Sequence, residues 1–173
     1  MTTTAKVGVL FVCHANMCRS PLAHGMFVHR ATARGVLERL DVDSAGTWAA
    51  EGIPPHHGSL TVASEHDLDL GPAGTSRGLR PDDLQRFAHI IVMDRANATD
   101  VERLQRLSAF GTATGGQARV RLLQHLVDPK ARGSASDVPD PVRGGPQEFR
   151  GVYDLVLAGC DALLDELFGR LPG

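Results

Sequence analysis

Apolar runs along the chain predict four strands. Residues 7–12 form a continuous apolar run with β-branched side chains, and residues 87–93 form a similar one, as in strands that are buried on both faces. Residues 40–45 alternate weakly between apolar and polar positions, and residues 120–126 supply the last candidate. Each run is separated from the next by a longer segment that carries the connecting structure.

Segments with helical spacing lie between and after these strands. Ser20-Pro21 has the residue types of a helix N-cap and first helical position, and Gly35 is a suitable stop. Residues 95–107 repeat apolar side chains at helical spacing, and residues 149–168 form an amphipathic helix that closes the chain. A shorter helix is expected over residues 60–68, a turn at Pro81, and irregular structure over residues 110–117 and 128–147.

Strands that alternate with helices favour right-handed βαβ units and a parallel sheet. We therefore predict an α/β fold in which residues 1–173 form a single domain. Its four-stranded parallel sheet should carry helices on both faces, in the doubly wound, flavodoxin-like arrangement. The length suits one domain with a full core. Ligands of such folds bind beyond the carboxyl ends of the strands, where the strand order reverses.

Composition and charge narrow the classes of function. The 173 residues carry a net charge of −2 and no basic block, so nothing favours nucleic acid or a membrane surface as a partner. The apolar stretch near the N-terminus is only about seven residues long, too short for a signal peptide or a membrane span. The 3 cysteines are too few for a disulfide framework. We expect a cytoplasmic protein, in which any thiol chemistry is catalytic or regulatory.

Candidate chemistry is concentrated in the run FVCHANMCRSP, residues 11–21. Cys13 ends the first predicted strand and Ser20 begins the first helix, so the residues between them must turn back sharply. Such a loop points backbone N–H groups inward, and with the positive end of the helix they make a cradle for a phosphate. Arg19 adds a planar fork that matches two phosphoryl oxygens. In this positive field, Cys13 should be a thiolate nucleophile at neutral pH.

Other interpretations of this run are weaker. Taken alone, Cys13 would be a small buried hydrophobe and Arg19 a solvated side chain, but the strand–loop–helix setting argues against both. A glycine-rich nucleotide loop fails because no Gly-Lys-Ser/Thr lies between the strand and the helix. A metal site also fails, because Cys13 and Cys18 lack a second pair of ligands and His56-His57 is more typical of loop surface.

Phosphoryl transfer to a thiolate needs a proton donor for the leaving oxygen. Asp140 lies between Pro139 and Pro141, which would hold an exposed carboxylate in an extended loop. Asp128, in another Asp-Pro pair, is the main rival, and Asp94, at the end of a predicted strand, is a third candidate. An Asp-Pro pair is also a common turn, so the residues alone leave this choice open.

Several motifs together resemble one enzyme family. VCHANMCRSP, residues 12–21, is similar to the phosphate-binding loop of the low-molecular-weight protein tyrosine phosphatases, V-C-x-G-N-x-C-R-S-P. The resemblance continues through DSAGT at 43–47, FAHIIVMDRAN at 87–97, VPDP at 138–141 and VYDLVLAGC at 152–160. It covers nearly the whole chain and implies the parallel α/β fold of phosphotyrosine phosphatase I type. It also implies hydrolysis without a metal or cofactor, since Arg19 and the loop supply the positive charge.

The resemblance gives each matching residue a role. Cys13 would form a cysteinyl-phosphate, and Arg19 would clamp the phosphoryl oxygens. Asp140 would act as general acid and then as base for water, and Ser20 would steady the thiolate. Cys18 matches a second thiol that forms a reversible disulfide with the nucleophile in the family and so protects it from over-oxidation. The phosphate-binding loop would comprise His14, Ala15, Asn16, Met17, Cys18 and Arg19, with Asn16 and Ser44 supporting its shape.

The chain departs from the family pattern at several positions. Ala15 stands where glycine is usual, so mild strain is expected in the loop. Val142-Arg143 replaces aromatic residues that wall the phosphotyrosine slot in the family. Val142 and Trp48 are the candidates for the slot in this chain, although the loop of Trp48 is a residue short. Gly74 stands where many members carry a histidine.

The predicted function is hydrolysis of phosphomonoesters, above all protein phosphotyrosine. The partners would be a phosphorylated protein or a small aryl phosphate as substrate, and inorganic phosphate as product. Phosphoarginine, the substrate of relatives with a small loop side chain, is disfavoured because His14 and Arg143 add cationic groups. Arsenate reduction needs relay cysteines in a flexible segment, and residues 71–116 contain none. A non-catalytic binding module would be expected to lose the nucleophile, the arginine or the acid.

Overall fold

Four parallel strands form the centre of the molecule. The computed structural model describes residues 5–108 and 118–170, and all four strands pair in the order β2-β1-β3-β4. The predicted α/β fold with a four-stranded parallel sheet is therefore confirmed. The strands are β1 (Val7–Cys13), β2 (Leu40–Gly46), β3 (His89–Val92) and β4 (Arg119–Leu122).

Helices connect the strands and close the chain. The first one ends as predicted, because Gly35 takes a φ of 67° and Val36 N–H donates back to the Ala31 carbonyl oxygen at 3.0 Å. The α-helices of the described residues are α1 (Arg19–Ala33), α2 (His57–Glu65), α3 (Asp83–Arg86), α4 (Arg95–Ser108), α5 (Leu123–Val127) and α6 (Pro146–Phe168). Short 3-10 turns cover Leu37–Arg39, Gly71–Ala73 and Gly133–Ser136.

Side chains alternate along β1 between two separate cores. Phe11 faces the core formed with α1 and α6, where its ring meets Phe27 edge-on at a centroid distance of 5.3 Å. Leu10 and Val12 face the opposite core, to which Val101 of α4 contributes. Helices therefore cover both faces of the sheet, as the doubly wound arrangement requires.

Only part of the predicted last strand, residues 120–126, is extended. β4 ends at Leu122, and the chain turns directly into α5. Leu123 is buried and packs on α6 at Gly159, where a β-carbon would lie 2.4 Å from Leu123 Cγ. A short apolar run fits a strand or a buried helix equally well, so the sequence pattern did not locate this change.

The predicted N-cap of α1 at Ser20 is wrong: the helix begins at Arg19, after Cys18, and the Ser20 hydroxyl contacts Cys13 and Asn16 instead of capping it.

Two other helices also begin before their predicted first residues, because their N-termini are capped. α2 starts at His57 instead of residue 60, since the Nδ1 atom of His56 accepts a hydrogen bond from a backbone N–H of the first turn at 3.1 Å. α6 starts at Pro146 instead of residue 149, since Glu148 Oε2 accepts a hydrogen bond from Gly145 N at 2.8 Å. Both capping contacts use residues that the apolar periodicity does not include.

The remaining sequence expectations concern segments outside these elements. The predicted irregular segment 110–117 lies outside the described residues. Residues 128–147 are irregular apart from the 3-10 turn Gly133–Ser136 and the first two residues of α6. No helix in the described part of the chain is both long and apolar enough to span a bilayer.

The strand order reverses between β1 and β3. The chain runs from β1 outward to β2 and then crosses back to β3 on the other side of β1. Val12 lies opposite Val92 in the register, so the carboxyl ends of β1 and β3 lie side by side. Cys13 and Asp94, which follow these positions, therefore meet at one crevice, where ligands of this fold class bind.

Candidate active site

The loop between β1 and α1 turns its backbone carbonyls outward. Hydrogen-bond donors from the surrounding segments hold four of these carbonyl oxygens at distances of 2.8–3.1 Å. These contacts fix the path of the loop from outside and leave its inner side free. The donor–acceptor pairs are Thr47 N with Cys13 O, Trp48 N with His14 O, His56 N with Met17 O, and Ser59 Oγ with Cys18 O.

The backbone N–H groups of this loop face the inner side. Those of residues 14–18 donate to no backbone carbonyl of the described chain. The N-terminus of α1, at Arg19, adds the partial positive charge of its own unpaired N–H groups. Together these donors form a cradle that suits the oxygens of a tetrahedral anion.

Gly46, the last residue of β2, lets the loop pass close to the sheet. A β-carbon at this position would lie 2.6 Å from the His14 carbonyl oxygen and 2.9 Å from Asn16 N. Real side chains do not tolerate such contacts, so only glycine fits here without moving the loop. The glycine of the DSAGT motif is therefore part of the construction of the site.

Cys13 lies at the base of the cradle with its side chain nearly enclosed. Its Sγ is 3.1 Å from Ser20 Oγ in the first turn of α1. Ser20 Oγ also accepts a hydrogen bond from Asn16 Nδ2 at 2.8 Å, so its own proton is available to the sulfur. The predicted neighbourhood of Cys13, Ser20 and Asn16 is present in the structure.

Asn16 links the loop to the strands around it. Its side-chain Oδ1 accepts a hydrogen bond from Arg77 N at 3.0 Å, and its Nδ2 also donates to Ser44 Oγ at 3.1 Å. Asn16 itself takes the left-handed conformation, with φ of 54°. The expectation of strain at Ala15 is wrong in this respect, because the turn places its positive φ on the asparagine, which tolerates it better.

Arg19 is held by the ends of two other segments. Its Nη1 donates to Asp94 Oδ2 at 2.7 Å and to the Val138 carbonyl oxygen at 2.9 Å. Its Nη2 lies at the longer distance of 3.4 Å from Asp140 Oδ2. Its Nε is buried and has no hydrogen-bond partner among the described residues. One corner of the guanidinium is thus fixed, and the Nε–Nη2 edge can take a bidentate phosphoryl group.

The three aspartates considered as proton donors occupy different places. Asp140 lines the same groove as Cys13, and its side chain is 43% exposed. Asp94 is engaged with Arg19, and it also accepts a hydrogen bond from Asn97 N at 2.8 Å. Asp128 closes a local turn, where its Oδ1 accepts from Lys130 N at 2.9 Å, and it does not line the groove. The geometry therefore favours Asp140 as the acid and gives Asp94 the part of orienting Arg19.

The groove above Cys13 has mainly apolar walls. Val142 lines it, whereas Trp48 does not. Trp48 is 70% exposed and lies in a neighbouring depression, where its Nε1 donates to Asp100 Oδ2 at 3.2 Å. Of the two predicted slot residues, the structure brings only Val142 to the nucleophile. The groove is lined by Cys13, His14, Ala15, Met17, Cys18, Arg19, Asp140 and Val142.

The two other cysteines differ in their access to the site. Cys18 lines the groove beside the nucleophile, and both thiols are free. Burial, reinforced by the charge of Asp140, raises the pKa of the Cys18 thiol to about 12, so this sulfur stays protonated. Cys160 is fully buried on α6, and burial raises its pKa well above the usual value. Cys160 is therefore an inert core residue.

Sequence reasoning missed His24, which reaches the support of the loop from α1. His24 is buried, and its Nδ1 lies 3.4 Å from Ser44 Oγ. His24 lies four residues after Ser20, and Ser20 lies four residues after Asn16. Residues at this spacing lie on one face of a helix. This spacing was the available signal. Within residues 5–108 and 118–170, no three His, Cys, Asp or Glu side chains are grouped as metal ligands would be.

The fold and this site define a class of protein: a doubly wound α/β domain with a cysteine at the base of a loop that suits a tetrahedral anion. The family described as Low molecular weight phosphotyrosine protein phosphatase matches residues 8–170. The chain belongs to this family, as its motifs predicted.

Curated relatives in bacteria and animals match along most of the chain. The low molecular weight protein-tyrosine-phosphatase YfkJ of Bacillus subtilis is 32% identical over 160 residues, covering 91% of this chain and 94% of that protein. The low molecular weight phosphotyrosine protein phosphatase of Gallus gallus is 31% identical over 159 residues, with coverages of 91% and 94%.

Solved structures agree with the fold. The crystal structure of YfkJ from Bacillus subtilis superimposes with a TM-score of 0.78 at 29% identity and covers 95% of this chain and 96% of its own. The structure of the Drosophila arginine phosphatase DARP has a TM-score of 0.79 at 27% identity, with coverages of 92% and 97%. The similar folds thus include a protein named for phosphotyrosine and one named for phosphoarginine.

Proposed function

We propose that this protein hydrolyses phosphotyrosine in proteins through a cysteinyl-phosphate on Cys13. The observation that carries the proposal is the placement of Cys13 Sγ, 3.1 Å from Ser20 Oγ, at the base of a loop whose amides at residues 14–18 have no backbone acceptor in the described chain. A thiolate, a set of anion donors and an arginine then surround one point. A phosphoryl group is the tetrahedral anion that uses all three.

In the first step the substrate's phosphoryl oxygens bind the loop amides and the Nε–Nη2 edge of Arg19. The Cys13 thiolate attacks phosphorus, so a P–S bond forms as the P–O bond to the tyrosyl oxygen breaks. Asp140 gives its proton to that leaving oxygen, which therefore departs as a neutral phenol. Arg19 stabilises the charge that spreads over the phosphoryl oxygens. Its contact with Asp94, at 2.7 Å, fixes its orientation before the substrate arrives.

In the second step water hydrolyses the cysteinyl-phosphate. The Asp140 carboxylate takes a proton from the attacking water, a P–O bond forms, and the P–S bond breaks. Inorganic phosphate leaves and Cys13 returns to the thiolate, which Ser20 stabilises by donating its hydroxyl proton. The same carboxyl group thus serves as acid and then as base, and the site returns to its starting protonation state.

The walls of the groove favour an aryl substrate over a guanidinium. Met17 and Val142 present apolar surface to the space above Cys13, and such surface packs well against an aromatic ring. Asp140 is the only carboxylate lining the groove in the described residues, and catalysis occupies it. Phosphoarginine remains the second candidate because of the similarity to DARP, although its guanidinium would find no second acidic partner in this groove.

We further propose that Cys18 serves as a redox guard for Cys13. A peroxide would convert the Cys13 thiolate to a sulfenic acid, and the peroxide would be reduced to water or an alcohol. Attack of Cys18 sulfur would then form the disulfide and release water. The support is that Cys18 lines the same groove as Cys13 and that both thiols are free; Cys18 would give up its proton as it attacks. A cytoplasmic location, where thiol reductants would restore the enzyme, fits this chemistry.

The remaining predictions fit the same proposal. One catalytic domain over residues 1–173 is supported by a single sheet and by a family match to residues 8–170. The protein partner is a phosphorylated substrate, and we propose no part for nucleic acid or membrane. Arsenate reduction is disfavoured, because Cys160 is fully buried and cannot relay electrons from the site.

The substitution Cys13→Ser tests the mechanism. The wild-type protein should hydrolyse p-nitrophenyl phosphate and a phosphotyrosyl peptide in the presence of EDTA. The variant should lose at least about 10⁴-fold in kcat, because an alkoxide is far harder to form than a thiolate, yet still bind inorganic phosphate in a calorimetric titration. Rapid quench with ³²P-labelled substrate should trap a phosphoprotein only in the wild type.

A comparison of substrates tests the specificity. The value of kcat/KM for a phosphotyrosyl peptide should exceed that for the matching phosphoarginyl peptide. The opposite order would make phosphoarginine the substrate while leaving the cysteinyl-phosphate mechanism intact. Turnover by Cys13→Ser at the wild-type rate would refute the mechanism itself.

A further inference from the structure

A chain of hydrogen bonds runs from the nucleophile to a buried histidine on α1. Cys13 Sγ contacts Ser20 Oγ at 3.1 Å, and Asn16 Nδ2 contacts both Ser20 Oγ at 2.8 Å and Ser44 Oγ at 3.1 Å. Ser44 Oγ then lies 3.4 Å from His24 Nδ1. All five side chains are buried. His24 has no part in the mechanism above, so its place at the end of this chain calls for an explanation.

The direction of each hydrogen bond follows from the amide of Asn16. Its Oδ1 accepts from Arg77 N at 3.0 Å, so its Nδ2 must face the two serines. An amide NH₂ group can only donate, and both hydroxyl oxygens therefore act as acceptors and keep their own protons to donate. For Ser20 the acceptors are Cys13 Sγ at 3.1 Å and the more distant Ala45 carbonyl oxygen at 3.4 Å.

The proton of Ser44 has one destination in the described structure. Its Oγ contacts Asn16 Nδ2, which donates, and His24 Nδ1, which is the available acceptor among the described contacts. Nδ1 can accept this proton when the imidazole is neutral and carries its own proton on Nε2. Burial lowers the pKa of His24 to about 4. The charged groups that act on it are Asp43, which opposes the shift, and Arg77, which adds to it.

We propose that His24 is a positioning residue for the nucleophile, because its neutral Nδ1 accepts the Ser44 proton and so holds Asn16 and Ser20 in the orientation that points a proton at Cys13. Without this acceptor the Ser44 hydroxyl would have no fixed orientation, and Asn16 Nδ2 would lose a fixed acceptor. Ser20 would then lose its fixed donor and with it its fixed direction. The effect on turnover rests on the proposed function, whereas the effect on the Cys13 thiolate does not.

The test is the pH profile of Cys13 alkylation in His24→Phe. The rate constant with iodoacetamide is measured from pH 4 to 8, with the modified cysteine identified by mass spectrometry. On the acidic limb the variant should react about three- to tenfold more slowly than wild type, the factor that one lost hydrogen bond brings. The plateau at high pH should be unchanged. The value of kcat/KM for p-nitrophenyl phosphate should fall by a similar factor over the same acidic range.

Three further variants separate positioning from general stability. His24→Asn places its Oδ1 near the site of Nδ1 and should restore the wild-type profile. Ser44→Ala should shift the profile as His24→Phe does, and the double variant should shift it no further, since both remove the same link. His29→Phe, at an exposed position on the same helix, should leave the profile unchanged.

The pH dependence of stability tests the neutral state of the ring. In the folded protein His24 has a pKa of about 4, below its usual 6.5, so between these values the unfolded chain binds more protons. Stability from this group is therefore full above the unfolded value and is lost as pH falls toward the folded one. Wild type should lose stability relative to His24→Phe over that range in urea unfolding.

The results can contradict the proposal in several ways. The proposal is overturned if His24→Phe keeps the wild-type alkylation profile. It is also overturned if His24→Phe shifts the profile and His24→Asn shifts it equally. If His24→Phe does not fold, a wild-type profile in Ser44→Ala overturns it instead. If the variants shift the alkylation profile as expected but the wild type has no phosphatase activity, the proposed function is refuted and the positioning role is supported.

Discussion

The two loops that meet over Cys13 are built in opposite ways. In the phosphate-binding loop, Cys13, Asn16 and Arg19 are at most 3% exposed, and the side chains of Asn16 and Arg19 each make several hydrogen bonds. In the loop of residues 138–142, the Asp140 side chain is 43% exposed and lies 3.4 Å from Arg19. Val142, at the other end, is 47% exposed.

The loop of residues 138–142, here called the acid loop, is anchored chiefly at Val138; near its other end the Pro141 carbonyl oxygen accepts a turn hydrogen bond from Gly144 N at 2.8 Å. Val138 is buried, its N–H donates to the Met93 carbonyl oxygen at 2.7 Å, and its own carbonyl oxygen accepts from Arg19. Beyond it, Pro139 and Pro141 restrict the backbone without adding N–H donors. Besides the 3.4 Å contact with Arg19, Asp140 has one turn contact in the described structure, in which its Oδ1 accepts from Val142 N at 3.2 Å. The two prolines thus restrict this loop, whereas hydrogen bonds restrict the phosphate-binding loop.

This difference follows from what each loop has to do. A nucleophile and its anion cradle lower a barrier most when no reorganisation is needed at the moment of reaction, which favours burial and dense bonding. A general acid has to receive a proton for each cycle, approach the leaving oxygen and then address a water molecule, which favours exposure. Substitutions in the two loops should therefore differ in the size and the character of their effects.

The largest effect is expected from Arg19→Lys in the buried part of the site. Lysine lacks the two parallel N–H donors and cannot keep the contacts to Asp94 and Val138 at once. The value of kcat should fall about 10²- to 10³-fold, the cost of losing a preorganised donor to the transition state. Steady-state kinetics with p-nitrophenyl phosphate measure this. The control Arg95→Lys changes an arginine paired with Asp137 outside the groove and should leave kcat within about twofold.

A rate for Arg19→Lys close to that of wild type would contradict the view that the fork geometry matters. The charge alone would then be sufficient, and the buried loop would differ from the acid loop only in exposure.

A smaller, substrate-dependent effect is expected from Asp140→Asn in the exposed loop. The amide cannot give a proton, so kcat for a phosphotyrosyl peptide should fall about 10²-fold, within the usual contribution of a general acid. An aryl phosphate whose phenol leaves readily should lose much less, because it needs no protonation. The slope of log kcat against leaving-group acidity checks this prediction. Asp128→Asn, in a turn outside the groove, is the matched control.

An equal loss for good and poor leaving groups would show that Asp140 does not protonate the leaving oxygen. A loss confined to Asp128→Asn would move the acid to the other Asp-Pro turn.

The smallest effect is expected from Pro139→Ala, which loosens the acid loop without removing the acid. Pro139 is exposed, so its replacement should act mainly on the unfolded chain, which gains conformational entropy. We expect the free energy of unfolding to fall by about 0.4–1 kcal/mol. The value of kcat should fall only a few-fold, because Asp140 remains present but is less restricted. Urea unfolding and steady-state kinetics measure the two effects. A loss as large as that of Asp140→Asn would show that proline stiffness, and not the carboxyl group alone, sets the rate.

Most of the fold could be predicted from local pattern. Buried strands reveal themselves by apolar runs, and Gly35 marks the end of α1 by a backbone preference that needs no distant partner. The predicted N-cap at Ser20 was wrong, because α1 already begins at Arg19 and the Ser20 hydroxyl contacts Cys13 and Asn16. The turn from β4 into α5 could not be predicted in this way. It depends on the space that Gly159 of α6 leaves for Leu123, and that space is created by residues far along the chain.

The candidate site, like the fold, could be predicted from the sequence only in part. The sequence places Cys13, Asn16, Arg19 and Ser20 within one short loop, so their proximity is a consequence of chain length. The positions of residues from distant segments relative to this loop depend on the sheet and on how the other loops pack. Asp94 joins Arg19 because β3 lies beside β1, and Trp48 turns toward Asp100 instead of the groove.

The sequence by itself determined which residues form the loop after β1 and most of the order of strands and helices along the chain, because these depend on contacts between near neighbours. Only the tertiary structure decided that Asp140 and not Asp128 lies over Cys13, that Asp94 orients Arg19, and that His24 ends the hydrogen-bond chain behind the loop. These choices join segments separated by many residues. Their relative positions follow from how the two faces of the sheet are packed, and no local pattern encodes that packing.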